Sequence, residues 1–385
     1  MTPGSAWLSA LPPFLLAAAV CAAAVPLSML LARRVGAVAQ PDAERHLHAM
    51  PTPRLGGLAM LLGYVVAVAV FGGHIQSRWP LLAVAGVVTL VMAADDILDL
   101  AWWQKLVVVV GAGVAFVALG ISITSIDLPG IGMVNLGLLA LPLTVLWVAG
   151  MQVSVNFMDG ADGVAAGVVA IVAMVAMLAA INRIVVPGDL QSGVVILSAA
   201  LMGVCAGFLI FNLPPARTFM GDTGSHFLGV VLAAITIVGI AKVAVGLSIL
   251  VPLIALGLPI SDTAWAIVRR QRAGVSPTTP DAGHLHHRLQ ARGMTPMETA
   301  LTFYFTTGVL GCLGLAIFGH RTILDVAIGL CALGVATTFW RNRRRLQRLQ
   351  RIQPPPDRDR DPDPRVAITG RGAAREPSGA PGDRD

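Results

Sequence analysis

Apolar runs about as long as a bilayer crossing recur along this chain, and they leave few options for its fold. Inside hydrocarbon every backbone N–H and C=O must be satisfied within the structure, which restricts a spanning segment to a helix or a closed barrel. Eleven helical spans can be drawn, at roughly 12–32, 56–72, 80–95, 106–122, 136–155, 163–181, 192–211, 225–241, 245–268, 299–318 and 322–340. Only 12% of residues are charged and 56% are hydrophobic. Soluble domains carry about a quarter charged residues, so an ordinary soluble domain is excluded. The short alternating segments of a membrane barrel are absent. The expected architecture is an all-α polytopic membrane protein, with a membrane domain over 1–340.

The polar residues then sort by side. The first span has no basic residue before it and ends on Arg33-Arg34, which places the N-terminus outside and makes the span unlike a cleaved signal peptide. With that direction, one set of loops collects Arg33, Arg34, Arg45, Arg54, Lys105, Arg217, Arg269, Arg270, Arg272, Arg288 and Arg292. The opposite set holds only Arg78, Arg183, Lys242 and Arg321, which is the asymmetry expected of a cytoplasmic and an outer face. Most acidic residues also fall on the basic side, so an aqueous cleft assembled from several cytoplasmic loops is expected there. The four cysteines, Cys21, Cys205, Cys312 and Cys331, lie in apolar runs and form no CxxC pair or disulfide framework. Beyond the last span, six arginines between 341 and 351 suit anionic headgroups. The Pro, Asp and Arg-rich tail that completes 341–385 is expected to be cytoplasmic and disordered. Its Asp and Arg charges largely cancel, so no nucleic-acid binding is expected.

Five loops on the basic side carry chemistry. Asp95 and Asp96 close one span, and Lys105 opens the next. Adjacent carboxylates repel, and at the edge of hydrocarbon each is costly, so their presence points to a cation, a proton or a phosphate. The loop Asn156-Phe157-Met158-Asp159-Gly160-Ala161-Asp162-Gly163 sets two carboxylates three apart among glycines, which suits an ion or polar ligand but also a plain Asp-Gly turn with a cap. Phe219-Met220-Gly221-Asp222-Thr223-Gly224-Ser225 opens a span, where backbone N–H groups favour an anion and Asp222 is placed to hold a divalent metal; read by itself, it is equally an N-cap. His284, His286 and His287 stand beside Arg288, as a phosphate or sugar clamp, a zinc site or a solvated face. Arg54, in Pro51-Thr52-Pro53-Arg54-Leu55-Gly56-Gly57, is either a phosphate contact or a topological anchor.

Together these loops suggest phosphoryl transfer onto a lipid at the inner face. A hard metal would neutralise a leaving diphosphate, Lys105 and other basic groups would hold its oxygens, and one member of the Asp pair could act as base. Oxygen donors favour Mg²⁺, with Mn²⁺ as a substitute.

The motifs PTPRLGG (51–57), DDILDL with Lys105, NFMDGADG (156–163), FMGDTGS (219–225) and PDAGHLHHRL (280–289) occur in this order on one side. With them the chain resembles the polyprenyl-phosphate N-acetylhexosamine-1-phosphate transferases, the membrane family that includes the phospho-MurNAc-pentapeptide translocase, from about Gly36 to Leu289. The resemblance implies ten or eleven helices around a cytoplasmic cleft, a Mg²⁺ requirement, and transfer of a sugar 1-phosphate from a UDP-sugar to a polyprenyl phosphate with release of UMP. It implies metal binding at Asp222, assisted by Asn156, and an essential pair at Asp95 and Asp96. It further implies a phosphate contact at Lys105, uracil contacts at Phe219 and Asp162, and sugar-diphosphate contacts at His284, His286 and His287. Asp159 and Arg54 are carried as further substrate contacts.

PTPRLGG and GHLHHRL look more like the UDP-GlcNAc branch, which initiates cell-envelope polysaccharides, than the pentapeptide branch. Three positions depart from the common pattern: Val153 where many relatives have Asn, Gln40 before Pro41, and Asp281-Ala282 after Pro280. The alternatives are the same transfer from another UDP-HexNAc or from UDP-MurNAc-pentapeptide, and an ion-coupled transporter, which would instead place its carboxylates at mid-span. A monomer and a homodimer are both compatible with the sequence.

Overall fold

Eight helices follow one another up and down before residue 241: α1 (Pro3–Val35), α2 (Gly56–Phe71), α3 (Arg78–Leu98), α4 (Trp102–Ala118), α5 (Ala140–Met158), α6 (Val164–Ile181), α7 (Leu190–Asn212) and α8 (Gly221–Ile240). A short α9 (Leu285–Ala291) and a long α10 (Pro296–Ile317) come later. The structure, a computed structural model, describes residues 3–39, 51–128, 132–181, 190–240 and 285–317, with isolated positions between 257 and 272. Among the described residues seven helices are long and apolar enough to cross a membrane, and α2 and α4 are shorter apolar helices. The chain is thus an all-α polytopic membrane protein, and nine of the expected spans fall on α1–α8 and α10. The spans expected at 245–268 and 322–340 lie outside the continuous described stretches, as do His284 and the tail 341–385.

Two small antiparallel ribbons depart from the purely helical expectation. Val38–Ala39 (β1) pairs with Thr52–Pro53 (β2), and Ser125–Leu128 (β3) pairs with Gly132–Asn135 (β4). Neither is long enough to show a period of two beside apolar helices. The β1–β2 ribbon matters for function, because it fixes the PTPRLGG stretch against the C-terminal end of α1, through Arg54 N–H to the Ala37 carbonyl at 3.0 Å.

α8 is the centre of the bundle. Every residue from 223 to 239 is buried, and the helix packs against α2, α3, α5, α6 and α7. A span surrounded by other spans needs small residues where backbones approach. A Cβ on Gly57 of α2 would overlap the backbone of Gly224, and one on Gly229 would collide with the backbone of Gln152 on α5. Membrane orientation is marked by exposed tryptophans at both ends, Trp102 and Trp103 where α4 begins, and Trp7 and Trp79 at the N-terminal ends of α1 and α3. The connecting segments 36–39, 51–55, 99–101, 159–163 and 213–220 share the end that carries Trp102 and Trp103, as the bonds described next require.

Candidate active site

The N-terminal end of α8 is held first by the segment 53–57. Phe219 N–H donates to the Pro53 carbonyl at 2.8 Å, Gly56 N–H to the Phe219 carbonyl at 3.0 Å, and Gly57 N–H to the Met220 carbonyl at 3.2 Å. The buried hydroxyl of Thr218 adds a bond to the Pro53 carbonyl at 3.1 Å. The prolines and paired glycines of PTPRLGG therefore act first as a backbone splint for FMGD. Arg54 itself is half-buried beside this splint.

On that splint Asp222 meets α4 and α5. Its Oδ2 accepts from Lys105 Nζ at 2.8 Å, and its Oδ1 accepts from Asn156 Nδ2 at 2.8 Å. Asn156 also reaches Ser225 Oγ at 3.0 Å. Lys105 Nζ lies 2.7 Å from Asp95 Oδ2, so one ammonium bridges two carboxylates. Asp95 is only 2% exposed and accepts a further bond from Leu100 N–H at 2.9 Å, at the point where α3 ends on a left-handed Asp99. Asp96 turns the other way. Its two oxygens take Asp222 N–H at 3.1 Å, Thr223 N–H at 3.0 Å and the Thr223 hydroxyl. The helix start that was expected to favour an anion already has one, from the protein itself.

The Asp-Gly loop closes the site. Asp159 follows α5, and burial first, then the negative charges of Asp222, Asp96 and Asp162, push its carboxyl well above the ordinary range. Asp162 is buried and its Oδ2 accepts from Ala216 N–H at 3.0 Å, so it spans to the α7–α8 connection rather than capping a turn alone. Asn212, at the end of α7, accepts from Gly163 N–H at 3.0 Å and donates to the Thr218 carbonyl at 2.9 Å. From α10, the Tyr304 hydroxyl donates to the Gly163 carbonyl at 2.6 Å, and a Cβ at Gly167 would overlap the Tyr304 ring. Asn212 and Tyr304 were missed in the sequence. Nothing near Asn212 resembles a motif, and Tyr304 is one of only two tyrosines in an apolar span.

Asp95, Asp96, Lys105, Asn156, Asp159, Asp162, Phe219 and Asp222 are thus brought to one end of the bundle, with Arg54 on the splint. His286 and His287 fall on α9, whose sequence leads into α10. Among the described residues no three His, Cys, Asp or Glu side chains form a ready metal cage. The donors present still fit Mg²⁺, which is commonly held by one or two carboxylates together with substrate phosphates and water. Asp222 supplies hard carboxylate oxygens, and Asn156, whose Nδ2 donates to Asp222 Oδ1, carries a hard amide oxygen on the adjoining side chain.

Comparison with known proteins adds the family. The glycosyl transferase family 4 model matches residues 79–240, from the start of α3 to the end of α8. A Mycobacterium tuberculosis decaprenyl-phosphate N-acetylglucosaminephosphotransferase is 36% identical over 340 residues, 80% of this chain and 83% of the relative. The chain belongs to glycosyl transferase family 4. A Bacillus subtilis relative named "Probable undecaprenyl-phosphate N-acetylglucosaminyl 1-phosphate transferase" is 35% identical over 72% of this chain and 76% of its own length. A phospho-N-acetylmuramoyl-pentapeptide-transferase of Acetivibrio thermocellus is 31% identical over 75% and 89% respectively. The family 4 match thus takes in DDILDL, NFMDGADG and FMGDTGS, whose side chains meet at the end of α8.

Proposed function

We propose that this chain transfers N-acetylglucosamine 1-phosphate from UDP-GlcNAc to a polyprenyl phosphate, giving polyprenyl-diphospho-GlcNAc and UMP, as a first membrane step toward a cell-envelope polysaccharide. The observation that carries the reading is the Asp95–Lys105–Asp222–Asn156 chain of contacts, each 2.7–2.8 Å, built from four separate helix ends at one membrane face. Greater identity to relatives named for GlcNAc-phosphate transfer than to the pentapeptide relative supports the choice of sugar.

In this reading an oxygen of the lipid phosphate attacks the β-phosphorus of the UDP-sugar. The bond from that phosphorus to the bridging oxygen breaks, and the bridging oxygen leaves with UMP. A lipid phosphate is already largely ionised, so the protein's task is mainly to position and neutralise. Asp222 and Asn156 would hold a Mg²⁺, which supplies charge neutralisation at the diphosphate. Lys105, held by Asp95, is assigned to the phosphate oxygens. Phe219 and Asp162 are assigned to the uracil, and Asp159, Arg54, His284, His286 and His287 to the sugar diphosphate. The site end faces the cytoplasm, where UDP-sugars are made.

The test is detergent-purified full-length protein with polyprenyl phosphate and UDP-GlcNAc, UDP-GalNAc or UDP-MurNAc-pentapeptide, with and without Mg²⁺, scoring UMP and lipid product. UDP-GlcNAc should be preferred at least about tenfold in kcat/KM, a difference of about 1.4 kcal/mol. Asp222→Ala should lose at least about a thousandfold, since it removes an interaction with the transferring phosphates. Preference for the pentapeptide substrate, or wild-type rates from Asp222→Ala, would overturn the assignment.

A further inference from the structure

Two adjacent carboxylates of a DD motif invite one shared role, yet here they do different work. On a helix, neighbouring side chains diverge by about 100°. Asp95 faces Lys105 and the Leu100 N–H, while Asp96 faces the first turn of α8. We infer that Asp96 is a positioning residue, the carboxylate cap of α8, and that it acts on the reaction by aiming Asp222 rather than by touching the lipid phosphate.

Three observations carry this. First, the opening N–H groups of a helix have no partners within it. A Ser, Thr, Asp or Asn just before the helix usually supplies one, but here that residue is Met220, which has no side-chain acceptor. The cap arrives instead from α3, 126 positions earlier, and both oxygens of Asp96 are used. Second, the backbone is shaped to admit it. Gly221 sits at φ +69°, and a Cβ there would overlap Asp96 Oδ2 and the Arg54 carbonyl. The glycine of FMGD is thus the hole into which the carboxylate fits. Third, the bonded N–H groups belong to Asp222 itself and to Thr223, so the cap sets the backbone that presents the Asp222 side chain to Lys105 and Asn156. With the helix start occupied by Asp96, the cation next to incoming phosphate is Lys105, and the member of the pair that governs Lys105 is Asp95.

This deepens the transfer reaction proposed above and rests on it. The test uses purified full-length protein and four variants: Asp96→Asn, Asp96→Ala, Gly221→Ala and Asp95→Asn. Readouts are UMP release, thermal midpoint without metal, and Mn²⁺ binding by electron paramagnetic resonance. Asn keeps one of the two acceptor oxygens that Asp96 uses, so Asp96→Asn should fall between wild type and Asp96→Ala in activity, midpoint and Mn²⁺ binding alike. Asp96→Ala should fall about a hundredfold, lower the metal-free midpoint and weaken Mn²⁺ binding about tenfold. Gly221→Ala should reproduce that pattern without altering any carboxylate. Combined with Asp96→Ala, it should cost no more than about threefold beyond either alone, because both break one junction. The inference is overturned if Asp96→Asn is as inactive as Asp95→Asn while its midpoint and Mn²⁺ binding match wild type. Full additivity of Gly221→Ala with Asp96→Ala would also overturn it. Should wild-type protein release no UMP, the transfer reading fails instead, and the midpoint and Mn²⁺ data still decide whether Asp96 caps α8.

Discussion

Lys105 is the residue on which the charge balance of the site turns. It is the ammonium between a carboxylate that is 2% exposed, Asp95, and a second one, Asp222. Breaking a fully buried pair by removing one partner costs about 3–5 kcal/mol, because the other charge is left uncompensated. The Lys105 side chain is 34% exposed, so water screens part of this, and a loss of about 1–3 kcal/mol is the reasonable scale. Lys105→Met should therefore lower the thermal midpoint in detergent, and Asp95→Asn added to it should restore most of that stability without restoring UMP release. A midpoint unmoved by Lys105→Met would show the ion pair to be energetically idle. Asp159 gives a prediction of the opposite kind. Its carboxyl is raised by burial and by the negative charges of Asp222, Asp96 and Asp162. A carboxyl raised in the folded state is tolerated below its unfolded value near 4, and it destabilises progressively as pH climbs through the folded value. Asp159→Asn should thus raise the metal-free midpoint at pH 8 more than at pH 5, in a melting series across that range. Equal shifts at both pH values would contradict the acidic surroundings assigned to it. At this scale the sequence named in its motifs the side chains that the structure brings together, the carboxylates, Lys105 and Asn156. It did not separate Asp95 from Asp96, because the separation depends on where α8 begins relative to α3.

Helices and connections show the same division. Span positions were legible, because burial in lipid imposes a length and a composition that can be counted along the chain. The ribbons, the splint between 53–57 and 218–220, and the tie from Tyr304 to Gly163 were not, because each joins segments whose proximity only the packed bundle creates. The glycine pair Gly56-Gly57 illustrates the gap. The motif suggested close packing at the start of a span, but the partner, Gly224 of FMGDTGS, emerges only in three dimensions. This contact should be unforgiving. Gly57→Ala would drive a methyl group into the Gly224 backbone, and overpacking of this sort costs about 1–3 kcal/mol or more where backbone must move. Gly111, on α4, has nothing within 4 Å of an added Cβ. Gly111→Ala should be neutral or stabilising by up to about 1 kcal/mol through helix propensity alone. Thermal midpoints of the two variants, measured side by side, check the comparison. Gly57→Ala should also depress UMP release, because the displaced turn carries Asp222. Equal midpoints would mean that α2 and α8 can slide apart without cost.

For the molecule as a whole, the question is which way the assembled end points. The connections at 99–101, 159–163 and 213–220 converge on α8, and the connection at 72–77 lies at the other end of the same helices. The loops on the assembled side carry most of the arginines and lysines, which is the bias of a cytoplasmic face. The UDP-sugar proposed as donor is charged and soluble, so a site that reads it must open to the compartment that holds it. Both arguments select one orientation, and a single labelling experiment separates it from its mirror. Ala101 and Gly73 are exposed positions at opposite ends of α3 and its flanking turns. In a background with the native cysteines replaced, Gly73→Cys should react with a membrane-impermeant maleimide on intact cells. Ala101→Cys should react only after the membrane is breached. The reverse pattern would place Asp222 and Lys105 on the outer face, away from nucleotide sugars, and would remove the topological support for the proposed reaction while leaving the fold untouched. Labelling of both positions on intact cells would instead mean that α3, which carries Asp95 and Asp96 in its last turns, does not cross the membrane as its length and composition require.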